Sequence, residues 1–402
     1  MSNLVSSNSQ FLPPQQSHLI ARLCQSVFGL VTYWSYQLEL LIDDRDIAQL
    51  KAIEDQRVVY LPNHSTLNDG IVVFLLSARI GQLFHYVVAY EAFQGWMGKL
   101  LQKVGAYSIR RGIGDRSSIV QTLKLLQQPA CKLLIFPEGG CSYQNDTVMP
   151  FRPGAIELSF KAIARLVKQG ATVPDFYLVP VSLKYRYRRS MDSELTKTLN
   201  SLEMALSIQP ATNDFYQRLR AIGERVLINL ETEYHLKYSL NGATPETDWN
   251  ERINQLKTHL LNYCETKLDL AQSTQVAARE RVYKIQSILA SNLPRSPELS
   301  TATYAHLYKT TVRLLNFDAI YDGYVASKPT PERFFDTLDR LEREIFQVDR
   351  PKSKGYRQVF VKTGTPINIK EYWQSYQSDS ATTIKTLTEQ IQQTVQKNLV
   401  AQ

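Results

Sequence analysis

Val58-Val59-Tyr60-Leu61-Pro62-Asn63-His64-Ser65-Thr66-Leu67-Asn68-Asp69-Gly70 carries this chain from a strand into a helix. Val58 to Leu61 is an unbroken apolar run, the pattern of a buried strand. Gly70 to Ile80 reads as a helix. His64 then falls at the carboxyl end of the strand and Asp69 in the first helical turn. Strand ends of α/β sheets are where sites are usually built. A neutral imidazole takes a proton from an alcohol. A carboxylate at its other ring nitrogen fixes the tautomer and steadies the imidazolium that forms. An acidic residue in a first turn also complements the helix dipole, and both roles are compatible.

The chain around this turn alternates strand-like and helical runs. The strand-like runs are Val58–Leu61, His85–Tyr90, Tyr107–Arg110, Lys132–Phe136 and Phe176–Tyr187. Helical stretches such as Asp115–Leu126 and Gly154–Val167 lie between them. This alternation predicts a layered α/β domain. Phe176–Tyr187 is long for a strand and ends in Lys184-Tyr185-Arg186-Tyr187-Arg188, which places three cations on one face.

The same stretch holds further motifs in order. Gly105-Ala-Tyr-Ser-Ile-Arg110 is followed by Phe136-Pro137-Glu138-Gly139-Gly140, then Phe151-Arg152-Pro153-Gly154-Ala155, then Leu178-Val179-Pro180-Val181-Ser182. Together with His64 and Asp69 this ordered set resembles the glycerolipid acyltransferase family, which includes the lysophosphatidate acyltransferases. The resemblance implies that His64 and Asp69 are catalytic. It also implies that the Gly-x4-Arg and Phe-Pro-Glu-Gly blocks bind the acyl acceptor, and that Val-Pro-Val ends a core strand. The expected substrate-binding residues are Asn63, Gly105, Arg110, Glu138, Gly139, Gly140 and Arg152. Arg110 suits a phosphate because its planar fork matches phosphate oxygens. Arg111 adjoins it, and strand register decides which of the two points inward. Glu138 is expected to accept from acceptor hydroxyls or to hold Arg110. The glycines after it let backbone N–H groups approach a ligand closely. The chain departs from the family at one place. Members acting on phosphatidate precursors commonly continue Glu-Gly-Thr-Arg, whereas here the sequence is Glu138-Gly139-Gly140-Cys141-Ser142. A cation beside the acceptor is missing, and Arg152, Lys184 or Arg186 is left to replace it.

Beyond Ser190 apolar residues recur at helical spacing, as in Phe215, Leu219, Ile222, Val226 and Leu230, and in Ile253, Leu256, Leu260 and Cys264. Further helices are expected over Thr274–Ala290, Thr301–Phe317 and from Thr330-Pro331, an N-cap followed by Pro at the first helical position. Strand character returns at Arg357–Thr363, before Gly364-Thr-Pro366-Ile367, which looks like the closing strand and turn of the same family. A last helix is expected over Thr382–Leu399. The expected organisation is an N-terminal membrane-interface or docking helix over 1–45, an acyltransferase core over 46–189, a helical insertion over 190–352, and the core's closing strand and helix over 353–402.

The chain has 402 residues and a formal charge of +8, which suits nucleic acid, an anionic membrane surface or anionic substrates. No nucleic-acid signature and no Cys/His metal pattern is seen. The four cysteines, Cys24, Cys131, Cys141 and Cys264, are scattered as in a reducing compartment. Cys141, near Glu138, is a conceivable thiol nucleophile, but no second histidine motif accompanies it. The polar start lacks a signal-peptide pattern. His18 to Ile42 is the most membrane-like segment, yet Arg22, Gln25, Gln37 and Glu39 interrupt it. With Trp34 and its tyrosines it suits an interfacial helix better than a spanning one.

These readings lead to one expectation. An O-acyltransferase moves a fatty acyl group from acyl-CoA or an acyl carrier protein thioester to a lysophospholipid hydroxyl, 1-acylglycerol-3-phosphate first, in glycerophospholipid synthesis. It would need no cofactor or metal and would work as a peripheral or monotopic protein on the cytoplasmic side of a membrane. Its partners would be the lipid surface and the acyl donor, without nucleic acid. The alternatives are another acceptor, such as glycerol 3-phosphate or a different lysolipid, and an inactive membrane-surface binding protein of the same fold.

Overall fold

The computed structural model describes residues 11–112, 114–236, 249–272, 276–290, 300–317 and 321–402. The described residues contain eight strands: β1 Leu38–Ile42, β2 Arg57–Pro62, β3 His85–Ala89, β4 Ala106–Ile109, β5 Lys132–Leu134, β6 Phe176–Tyr187, β7 Arg357–Thr363 and β8 Ile367–Asn368. The first helices are α1 His18–Val31, α2 Asp44–Lys51, α3 Asp69–Arg79, α4 Gly95–Lys103, α5 Arg116–Leu126 and α6 Gly154–Lys168. A helical run follows: α7 Asp192–Ala205, α8 Phe215–Glu233, α9 Trp249–Lys267, α10 Ala278–Ala290, α11 Thr301–Phe317, α12 Tyr324–Ser327 and α13 Pro331–Phe346. Two helices, α14 Trp373–Ser378 and α15 Ser380–Ala401, close the chain.

The described residues form two compact units. One takes residues 11–110, 114–188 and 356–402 and holds every strand. Its sheet runs β1-β7-β6-β2-β5-β3-β4, with β8 also on β6. Strands β6, β2, β5, β3 and β4 are mutually parallel, while β7 is antiparallel to β6 and parallel to β1. The fold is mixed α/β with a mostly parallel central sheet.

Period-two burial explains the layers. Val58 and Tyr60 of β2 point to one face, where they pack with Val72, Val73 and Leu76 of α3 and with Val181, Leu183 and Tyr185 of β6. Val59 and Leu61 point to the other face, among Phe160 and Ile163 of α6 and Leu387, Ile391, Val395 and Leu399 of α15. Strands covered on both faces need such continuous apolar runs. The β6–β7 ladder pairs Val181 with Thr363 and Tyr187 with Arg357, so the last strand joins the sheet beside β6 from far along the chain.

The second unit takes Arg111, Gly112 and the described residues of 189–355. It holds the helical run α7 to α13. Guanidinium–carboxylate pairs link its helices: Arg218 to Glu203 at 2.6 Å, Arg252 to Glu231 at 2.9 Å, and Arg313 to Glu344 at 2.8 Å. Thr330 caps α13 by accepting from the Arg333 N–H, with Pro331 at the first helical position. Helix α10 begins at Ala278, and Thr274, the expected start, lies outside the described residues, as do residues 1–10.

The N-terminal segment differs from the expectation of one docking helix. α1 ends at Val31, a π-helical turn spans Thr32–Tyr36, and Gln37 takes a left-handed conformation with φ 53°. Leu38 to Ile42 then pair with Arg357 to Val361 as an edge strand of the sheet. Their apolar side chains serve the core, and the pairing partner is too remote in sequence for local pattern to reveal.

Candidate active site

β2 ends at Pro62, but β6 continues to Tyr187. Past Val181 one edge of β6 therefore has no strand beside it. Two asparagine side chains take its place. The Asn63 amide accepts from the Leu183 N–H at 2.7 Å and donates to the Leu183 carbonyl at 3.1 Å. The Asn145 amide does the same at Tyr185, accepting at 2.7 Å and donating at 2.8 Å. Buried backbone polar groups need such partners. Asn63, expected to bind substrate, is thus buried and committed to β6 by both ends of its amide. It fixes the turn that begins with His64.

The His64 main chain is held from both sides. Its N–H donates to Glu138 Oε1 at 2.7 Å, and its carbonyl accepts from the Ser142 N–H at 2.7 Å. The imidazole stacks on Phe136, with ring centroids 4.3 Å apart. His64 Nδ1 lies 2.8 Å from Asp69 Oδ2. A carboxylate only accepts, so Nδ1 carries the proton and the Nε2 lone pair remains available to take one. The His64 side chain is 21% exposed and that of Asp69 is fully buried.

A fully buried carboxylate is costly unless donors surround it. Asp69 Oδ2 also accepts from the Thr66 N–H at 2.9 Å. Oδ1 accepts from Thr66 Oγ1 at 3.1 Å and from the Tyr185 hydroxyl. Burial and the neighbouring carboxylate push the Tyr185 phenol well above its ordinary range, so it keeps its proton and stays a donor. Tyr185 and Thr66 are the residues that sequence reasoning missed. Period two in β6 carries the signal, because Tyr185 shares the inward face of Val181 and Leu183.

The structure distributes the remaining expected residues unevenly. Glu138 is buried, and its carboxylate accepts from the main chains of His64 and Met149, the latter at 3.2 Å. Gly139 has φ +72°, and a Cβ there would lie 2.3 Å from Arg152 Cζ, so the Arg152 guanidinium packs on this turn. Gly140 is buried in the same turn. Arg110, at the end of β4, shares the carboxyl edge of the parallel strands with His64. Its Nε is 3.8 Å from Asp115 Oδ2, and its side chain is 39% exposed. Arg111 instead stacks over Tyr283, 4.5 Å from the ring centroid.

Gly105 belongs to the opposite edge, before β4 begins. A Cβ there would come 2.5 Å from the Phe84 carbonyl and from Gln16 Nε2, so close packing requires this glycine. This corrects its expected place in the substrate site. The cation stripe is corrected as well. Lys184 is buried and donates to the Leu399 carbonyl at the end of α15, on the face away from Tyr185 and Asp69. Arg186 lies over Phe360, and Arg188 pairs with Glu39 at 3.7 Å. Among the described residues no cluster of three or more His, Cys, Asp or Glu is placed to hold a metal ion.

Residues 44–184 match the Acyltransferase family model. The matched stretch runs from α2 into β6 and contains His64, Asp69, Arg110, Glu138 and Arg152. It supports an acyltransferase enzyme. Tyr185 stands one residue beyond its end.

Proposed function

We propose that this protein moves a fatty acyl group from a thioester, acyl-CoA or acyl carrier protein, to the free hydroxyl of a lysophospholipid, 1-acylglycerol-3-phosphate first, as a step of glycerophospholipid synthesis. The observation that carries the reading is the Nδ1-to-carboxylate contact, which leaves Nε2 as the base. The acceptor hydroxyl gives its proton to His64 Nε2 as its oxygen attacks the thioester carbonyl. The tetrahedral intermediate collapses, the carbon–sulfur bond breaks, and the imidazolium returns the proton to the departing thiolate. Asp69 balances the charge that His64 holds in between. No cofactor or metal enters these steps.

Arg110 supports a phosphate-bearing acceptor, because it ends a strand on the edge that carries His64. Arg152, packed on the Gly139 turn, is the candidate for the cation lost from Glu-Gly-Thr-Arg. That altered motif also favours a second reading, an acyltransferase for glycerol 3-phosphate or a neutral lysolipid. Such acceptor changes are common on one fold.

The acceptor brings the enzyme to a lipid surface, and α1 with the π-helical turn after it supplies an apolar face. Leu19 is 80% exposed and Trp34 77%, with Leu23 and Leu30 also exposed between them. Among the described residues no helix is long and apolar enough to cross a membrane. We take α1 as a peripheral anchor on the cytoplasmic side, reinforced by the net positive charge.

Four measurements test this reading. Labelled acyl-CoA and acyl carrier protein thioesters offered with a panel of lysolipids should give an acylated lipid. His64→Ala should lower turnover by about 10²–10⁴-fold or more without unfolding the protein. Undiminished turnover in that variant would refute the mechanism. Arg110→Ala should reduce kcat/KM for lysophosphatidate by roughly 10- to 100-fold, a charged hydrogen bond's worth, and spare a neutral lysolipid. Equal loss on both acceptors would exclude a phosphate role. Leu23→Glu should reduce co-sedimentation with anionic vesicles, and unchanged binding would exclude α1 as the anchor.

A further inference from the structure

Tyr185 lies at the far end of the longest strand, outside the segment that matches the Acyltransferase model. Its ring is buried, and it touches Asp69 with its only polar atom. Its main-chain N–H and carbonyl are both held by the Asn145 amide, and it stands opposite Val359 in the ladder with β7. Asn145 is itself anchored, since Gln396 of α15 accepts from the Val148 N–H at 3.0 Å and donates to the Asp146 carbonyl at 3.0 Å. A core tyrosine that only filled space would need none of this registration.

We propose that Tyr185 is a positioning residue of the acyl-transfer site, holding Asp69 Oδ1 so that Oδ2 stays aligned on His64 Nδ1. The inference rests on the acyltransferase reading for its kinetic consequence only. Asp69 has two oxygens and two tasks. Oδ2 orients the imidazole, and Oδ1 must be fixed if the carboxylate is not to rotate. Thr66 supplies one donor to Oδ1 from the same turn, and so moves with Asp69. Tyr185 supplies the other from the sheet, and so references the pair to the rigid frame of the domain.

Without the phenolic oxygen, Oδ1 keeps only the Thr66 donor, the carboxylate is free to rotate, and its hold on His64 Nδ1 loosens.

The test is Tyr185→Phe in the full-length protein, which deletes one oxygen and keeps the ring. The His64 Nδ1–H proton, followed by NMR, should change its resonance as the hydrogen bond to Asp69 loosens. With thioester and lysolipid, kcat should fall about tenfold. Both KM values should stay within about twofold, since a buried tyrosine does not touch substrate. An unchanged His64 Nδ1–H resonance overturns the proposal. So does a raised KM at unchanged kcat, which would make Tyr185 a binding residue. If the unaltered protein transfers no acyl group, the acyltransferase reading fails, while the His64 Nδ1–H resonance still decides whether Tyr185 governs Asp69.

Discussion

A carboxylate with no exposure to water has to be met by donors, and Asp69 is such a group. Its four hydrogen bonds come from the turn that precedes it and from Tyr185 of β6, 116 positions later in sequence. The turn alone provides three of them. The fourth requires β6 to outrun β2 and present Tyr185 on its inward face. That overhang exposes a strand edge, and the Asn63 and Asn145 amides close it. The need to satisfy one buried charge thus reaches into the length of β6, the identity of two asparagines and the path of the loop that carries the second.

Glu138 makes a second connection of the same kind. It is buried after β5, and it binds the turn after β2 through the His64 N–H and the later loop through the Met149 N–H. Phe136 presses on the His64 ring from the same turn. A carboxylate read from sequence as a ligand for acceptor hydroxyls or for Arg110 here holds the main chains of His64 and Met149. The loop beyond it is fastened from the opposite face of the sheet, where α15 reaches it through Gln392 and Gln396. The last helix of the chain and the first motif therefore serve one geometry, although a helical unit of residues 189–355 separates them in sequence.

Much of this was legible because the sheet is buried on both faces. Continuous apolar runs reveal β2 and β6, and Thr330-Pro331 announces α13 through its capping chemistry. His64 and Asp69 were readable because their spacing spans one strand-to-helix turn, a local relation. Non-local relations were not readable. Leu38–Ile42 looks like the tail of an interfacial helix until β7 pairs with it, and the break at Gln37 is a left-handed residue that is not glycine. Lys184 reads as a candidate for the missing acceptor cation, yet its position on the even face of β6 buries it under α15. Asn63 and Gly105 sit inside motifs associated with substrate, but their surroundings are backbone. Tyr185 stands between two cations in the sequence, and nothing in its neighbourhood announces Asp69.

The central claim is that the buried carboxylate sets the tautomer and alignment of a catalytic imidazole. Asp69→Asn tests it most directly, since the amide keeps the volume and removes the charge. Measured as acyl transfer from thioester to lysolipid, with folding checked by thermal unfolding, the variant should lose about 10³-fold or more in kcat. An Asp69→Asn protein that is folded and turns over at the wild-type rate would contradict the account.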